Sequence, residues 1–395
     1  MKIDNLFFAK ASFFLAIIYC LDPTGRGWGT DNIFILKFSP VLFLFVFFCA
    51  NALKNIELQN RKAVKKYQIP YYIITFVMLF GSLLAYFEYG QVSSSFLSRG
   101  LLIALVCVSF FHLPFNQLDD LVSFLGRLSF YSLFFISSMV VLSKLNVNGF
   151  SNFKNIYHEE VSIIFFAGLF AFLSKSNTIK VLGVLLAIVA LGLSGKNTGY
   201  LTLMILLVYV FLAVLMYTKK QQKLFVTYII GALLIFMAGA AFIVVYFYSQ
   251  YLPSGSPGVR LVTYNERFNQ FLSSPFVGEF FTLNMLFELP TKKGSIVVPS
   301  HSDLLDIVAA GGIVTIYYFI AKPVLLSIWM SIKCVIEKRG DKNILLVSGL
   351  FLSSFIALSF NPIINQPRLA IFLWFSLIYV LRRNKSYENS SLRDA

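Results

Sequence analysis

The sequence predicts an all-α, polytopic membrane protein of about twelve spans, with one large outer loop in its C-terminal half. Three observations predict it. Hydrophobic residues make up 58% of the 395 residues and charged residues 13%, about half the ~25% usual for a soluble chain. Mean hydropathy is +0.76. The apolar residues fall into runs separated by short polar links, and about twelve runs of ~20 residues would use ~60% of the chain. Lys and Arg gather in alternate links, as the positive-inside rule requires. The same composition excludes a disordered chain, a collagen-like repeat and a disulfide scaffold. The net charge of +15 matches a nucleic-acid binder in size. Its placement in the links assigns it to membrane orientation instead, so no nucleic-acid partner is expected.

The runs follow in order. The first covers 6–21, behind Met1-Lys2. No small-residue cleavage site follows Cys20-Leu21-Asp22-Pro23, so it reads as an uncleaved span rather than a signal peptide. The second covers 32–52, and a basic link with Lys54, Arg61, Lys62, Lys65 and Lys66 follows. Further runs cover 70–88, 99–113, 121–143, 160–174, 179–194, 198–217 and 223–249. The expected division is spans one to nine in 1–249, a large loop in 250–303, spans ten to twelve in 304–382, and a basic tail in 383–395. With both termini cytoplasmic, the links after runs two, six, eight and ten are inside and carry Lys or Arg. The link from His112 to Asp120 is the exception, with neither. Cys20, Cys49, Cys107 and Cys334 lie in or at the ends of apolar runs without a CxxC pair. They read as small helix hydrophobes, neither bridged nor metal-bound.

A loop of this length is long for a simple connection, and function concentrates in such loops. Ser254-Gly255-Ser256-Pro257-Gly258 favours a turn. Arg260, Tyr264, Arg267 and Phe271 then stand at i, i+4, i+7 and i+11, which predicts an amphipathic helix ending near Ser273-Ser274-Pro275. Two guanidiniums on one side suit a diphosphate, because the planar fork binds phosphate oxygens two at a time. A solvated or headgroup-facing pair is the plainer reading, and the residues alone leave both open.

His301, in Pro299-Ser300-His301-Ser302-Asp303, heads the tenth run. Neutral imidazole there can take a proton from an attacking hydroxyl. The plainer reading is a helix-capping neighbourhood with Ser300 or Ser302 as the cap. His112 reads as interfacial and His158, beside Glu159 and Glu160, as part of a solvated cluster. Lys196, in Leu193-Ser194-Gly195-Lys196-Asn197, is a cation at a helix start, where the helix dipole does not favour one. It is either drawn by an anionic ligand or snorkelling. Arg99 and Arg368 open runs four and twelve from the same side and carry the same two readings. No P-loop, GxGxxG or HExxH motif occurs. Run centres hold almost no charged residues, which argues against an ion-coupled transporter.

In these places the chain resembles the O-antigen polymerase and O-antigen ligase superfamily of bacterial envelope glycosyltransferases. The resemblance covers the hydropathy outline and four short stretches. Gly258-Val259-Arg260-Leu261 through Tyr264 to Ser274-Pro275-Phe276 looks like the family's entry to its large loop. Arg267 and Gly278 match an Arg-x10-Gly pattern. His301-Ser302, nine residues, then Gly312-Ile313-Val314-Thr315 match a His-[Asn/Ser/Gln]-x9-Gly-x-x-[Gly/Thr/Tyr] pattern. Ser194-Gly195-Lys196 stands where the family has a Ser/Thr-Arg pair; Lys keeps the charge and loses the fork. The resemblance implies a multi-pass protein of the bacterial inner membrane whose large loop is periplasmic. It implies an undecaprenyl-diphosphate-linked glycan as donor and a sugar hydroxyl as acceptor, with no cofactor. Carried onto this chain, Arg260 and His301 are the catalytic candidates, and Arg260, Arg267, Lys196 and Arg99 the diphosphate-binding ones. Expected partners are the bilayer, the lipid-linked oligosaccharide and a chain-length regulator. A polymerase of repeat units is the first expectation, because the loop is short and the Arg-x10-Gly pattern is present. A ligase to lipid A-core is the second and a lipid-linked oligosaccharide flippase the third.

Overall fold

The computed structural model describes residues 6–20, 34–57, 67–89, 94–147, 160–193, 197–217, 256–283, 286–291, 294–299, 302–336, 341–360 and 367–391. Helices dominate. They are α1 (Phe7–Cys20), α2 (Phe34–Glu57), α3 (Ile69–Tyr89), α4 (Ser94–Phe110), α5 (Phe115–Lys144), α6 (Glu160–Phe172), α7 (Asn177–Gly192) and α8 (Asn197–Tyr217). After them come α9 (Ser256–Ser273), a hairpin of β1 (Leu286–Thr291) and β2 (Gly294–Pro299), and α10 (Asp303–Thr315). A π-helical turn (Ile316–Ala321) leads into α11 (Lys322–Ile336), followed by α12 (Lys342–Phe360) and α13 (Pro367–Ser391). Five stretches are long and apolar enough to cross a membrane, by length and composition: Ile69–Phe87, Phe115–Lys144, Thr198–Met216, Asp303–Ile336 and Lys342–Ser359. Shorter apolar stretches lie in α1, α2, α4, α6 and α7. The expected run 223–249 lies outside the described residues.

The all-α expectation needs one addition. β1 and β2 pair antiparallel, from Leu286 opposite Pro299 to Thr291 opposite Gly294. The β-branched run Ile296-Val297-Val298, bounded by Gly294 and Pro299, is the local cause.

The helices pack as membrane helices do. α6 is buried on every side from Val161 to Leu169, so no polar stripe is needed. It meets α7 through small residues: a Cβ added at Gly183 would stand 2.2 Å from Ala171 Cβ, and one at Gly168 2.7 Å from Ala187 Cβ. Such contacts let backbones approach where water provides no drive for association. Large apolar side chains stay exposed along the outside, Phe76, Phe80 and Phe87 of α3 among them.

At one end of the bundle, charged side chains tie four elements together. Arg383 of α13 pairs with Asp119 of α5 and, at 3.1 Å, with Asp341 just before α12. The Tyr379 hydroxyl donates to Asp119 at 2.6 Å. Arg382 donates to the Phe110 carbonyl at the end of α4, at 2.9 Å. Both guanidiniums lie 4.7 Å from the Phe115 ring centre. Burial pushes the Asp341 carboxyl above its ordinary value, and the Arg383 charge opposes that rise.

Candidate functional site

At the opposite end, α9 lies against α10. Pro257 suits the first turn of α9, where its missing N–H costs nothing. Thr263 and Arg267 of α9 are buried, while Val262, Phe268 and Leu272 are exposed. Of the 264/267/271 positions of the predicted stripe, Arg267 is buried and Tyr264 and Phe271 are half-buried. Ser302 caps α10: its Oγ accepts from the Leu305 N–H at 3.3 Å and donates to the Ser359 carbonyl of α12 at 2.8 Å. Asp303 and Asp306 occupy the first turn of α10, both buried, where the helix dipole favours carboxylates.

Arg267 and Asp306 form an enclosed ion pair. Arg267 Nε donates to Asp306 Oδ1 at 2.8 Å, and each side chain is 1% exposed. A second guanidinium nitrogen donates to Gln270 Oε1 at 2.8 Å. The guanidinium carbon lies 4.4 Å from the ring centre of Phe287 in β1. Taking two charges out of water costs several kcal/mol per ion unless geometry and extra hydrogen bonds offset it. Here a charge-assisted bond, an amide acceptor and an aromatic face all contribute.

One turn further along, the chain after α9 docks into a break in α10. Gly312 leaves helical geometry, at φ 60° and ψ −164°. The Ile313 N–H donates to the Pro275 carbonyl at 2.8 Å rather than back along its own helix. The freed carbonyls of Ala309 and Ala310 accept from the N–H groups of Glu279 (3.2 Å) and Phe281 (2.9 Å). Both contact glycines have positive φ, Gly278 at 63° and Gly312 at 60°, a region costly for other residues. There is also no room for a side chain: a Cβ at Gly312 would stand 2.5 Å from Phe276 C and 2.6 Å from Gly278 N. From the other side α3 closes on the same segment, with a Cβ at Gly81 placed 1.8 Å from the Phe280 carbonyl oxygen.

The sequence-derived candidates fall unevenly on this geometry. Arg267 is at its centre, as half of an ion pair rather than an open cation. Arg260 lies in α9, two turns before Arg267, and Arg99 lies in α4; their side chains are outside the described residues. So are His301, immediately before the Ser302 cap, and Lys196, immediately before α8. Asp306 was not anticipated. Its signal was partial: an acidic residue inside an apolar run needs a partner, but the sequence does not say which. Phe287 carried no comparable signal. Among the described residues no group of three or more His, Cys, Asp and Glu side chains is placed to hold a metal ion.

The described residues thus form a mainly helical protein with five stretches long and apolar enough, by length and composition, to cross a membrane. Comparison with models of known families, with curated proteins and with solved structures finds no match to the chain.

Proposed function

We propose that the chain is a membrane glycosyltransferase that polymerises undecaprenyl-diphosphate-linked oligosaccharide repeat units of an O-antigen or capsule. The observation that supports this most is the meeting of two separately recognised motifs. Arg267 lies on α9 and Gly278 in the turn that follows it, while Asp306 and Gly312 lie on α10, inside and at the end of the His301-Ser302-x9-Gly312 pattern. The two stretches meet at two points, Arg267 with Asp306 and Gly278 with Gly312.

In this reading the acceptor sugar oxygen attacks the anomeric carbon of the donor. The bond from that carbon to the diphosphate oxygen breaks, and its electron pair leaves on the diphosphate. His301 takes the hydroxyl proton. Arg260, with Lys196 and Arg99, meets the growing negative charge. Arg267 holds α9 against α10, and with it the helix carrying Arg260. Asp306 compensates the Arg267 charge, so Arg267 acts through position. The finer topology belongs to the same proposal: about twelve spans, both termini cytoplasmic in the bacterial inner membrane, and a periplasmic loop over 250–303. A topology reporter fused near residue 280 reads periplasmic if this is right and cytoplasmic if it is wrong.

The test is complementation of a deletion strain with wild type, Arg260→Ala and His301→Ala, reading surface polysaccharide on a gel at matched protein levels. Wild type restores a ladder of many lengths from single-repeat glycolipid, and both variants do not. Restoration from a finished polymer stranded on its lipid carrier identifies a ligase instead. Variants that behave as wild type remove Arg260 and His301 from the mechanism.

A further inference from the structure

We propose that residues 274–283 form a re-entrant segment, dipping into the leaflet at the Ser302 end of the bundle, with Phe276, Val277 and Phe280 against lipid acyl chains. The inference is independent of the reaction proposed above, and it refines the proposed topology: within the 250–303 loop, 274–283 enters the leaflet and returns to the same side.

Depth is the first argument. The Phe280 carbonyl meets α3 at Gly81, eight residues before the end of α3 and so about 12 Å along its axis. The segment meets α10 at Gly312, nine residues from the helix start and so about 14 Å along it. The two helices run antiparallel: Tyr71 near the start of α3 packs on Tyr318 and Phe319, beyond Gly312 in the chain. The two counts therefore start from the same end and agree. α3 contains a stretch long and apolar enough to cross a membrane, Ile69–Phe87, which places Gly81 six residues inside its end; α10 opens a second, Asp303–Ile336, which continues through the π turn and α11.

The second argument is how the backbone is satisfied. Irregular backbone survives at membrane depth only where its polar groups are paired within protein. The N–H of Gly278 donates to the Ser274 carbonyl, and that of Thr282 to the Glu279 carbonyl. Glu279 and Phe281 donate to α10, and Pro275 has no N–H; the N–H groups of Phe276, Val277 and Phe280 do not take part in these backbone bonds. Even the hydroxyls turn inward: Ser274 Oγ donates to the Gly278 carbonyl and Thr282 Oγ1 to that of Glu279. The bonds to the α10 carbonyls hold the segment against the break in that helix.

The third argument is what stays outside. Phe276 is 73% exposed and Phe280 55%, with Val277 at 42%. Glu279, the single ionisable residue of the segment, is half-buried instead. The exposed rim continues the apolar outer faces of its two neighbours, with Phe80 and Leu83 on α3 and Val314 and Tyr317 on the α10 rod. A continuous apolar surface at this depth fits hydrocarbon as its partner.

The test uses tryptophan as a depth probe in full-length protein reconstituted in phosphatidylcholine vesicles. Trp28, Trp329 and Trp374 are replaced by Phe, and Phe276→Trp, Phe280→Trp or Asn269→Trp is added. Asn269 is on the exposed polar side of α9. Expected is loss of emission from Phe276→Trp and Phe280→Trp with acyl-brominated phosphatidylcholine, and protection from aqueous acrylamide. Asn269→Trp shows the reverse. Quenching of all three by acrylamide alone overturns the proposal. Protection of the two segment probes from both quenchers also overturns it, because protein rather than lipid then covers the rim. Replacing exposed phenylalanines by tryptophan leaves the packed side untouched, and an unchanged size-exclusion profile verifies the fold.

Discussion

Asp306→Ala removes the carboxylate and leaves the Arg267 guanidinium in a site where each partner is 1% exposed. Breaking a buried pair from one side costs about 3–5 kcal/mol, because the remaining charge is uncompensated. The Gln270 amide oxygen and the Phe287 ring remain, which places the expected loss at about 3 kcal/mol, the lower end of that range. Arg267→Met removes the charge from the other side and leaves the Asp306 carboxylate buried without it, at a comparable cost. Replacing both, Arg267→Met with Asp306→Leu, fills the site with apolar volume and leaves no charge. Such replacements of whole pairs are often neutral or better. The assay is a double-mutant cycle on unfolding in mild detergent, read by helical circular dichroism where unfolding is reversible. The double variant is expected to be more stable than either single variant, giving a coupling of about 2 kcal/mol or more. Additive losses, or an Asp306→Ala cost of under about 1 kcal/mol, refute the reasoning. Either result means that the pair is solvated.

Two further outcomes follow from local geometry. Gly312→Ala places a Cβ against the backbone of residues 276 and 278 at positive φ, and is expected to cost well over the ~1 kcal/mol of an ordinary helix glycine. Gly192→Ala in α7 meets nothing within 4 Å and is expected to be neutral or stabilising by up to ~1 kcal/mol; equal thermal-unfolding midpoints for the two variants contradict this. Asp341 gives a pH dependence. Its folded carboxyl binds a proton more readily than in the unfolded chain, so its contribution is most favourable below the ordinary carboxylate range. That contribution is lost as pH rises through the raised value. Wild type minus Asp341→Asn stability, followed upward from about pH 4, is expected to fall with pH; a rise reverses the sign.

The mainly helical character was legible in the sequence, because long apolar runs are written in composition and run length, and five stretches of the described residues are long and apolar enough to cross a membrane. Its limits are specific. The link from His112 to Asp120 read as polar, yet α5 already starts at Phe115. Asn116, Gln117, Asp119 and Asp120 are polar residues of a helix end, where Asp119 serves Tyr379 and Arg383 across the bundle. Run length does not distinguish such an end from a loop. The stretch Asp303–Ile336 is 34 residues, far longer than the ~20 a crossing needs. Its break at Gly312 and its π turn are set by tertiary contacts that no window of sequence contains. At the candidate site, the pattern of Arg267 was legible and its partner was not. A cation in a motif reads as a ligand-binding group until the residue that neutralises it is placed. Asp306 lies 39 residues away, and only the fold places it.

The slot at Gly81 also sets an order of assembly. The carbonyl that fills it belongs to Phe280, which the ribosome reaches only 199 residues after Gly81. At ~5–20 residues per second, α3 is in the bilayer for roughly 10–40 seconds before its partner exists. During that interval the groove around Gly81 is open to lipid or to a chaperone of the insertion machinery. Bundle assembly therefore cannot finish helix by helix from the N-terminus. The part around Gly81 must wait, unsealed, for a segment made 199 residues later.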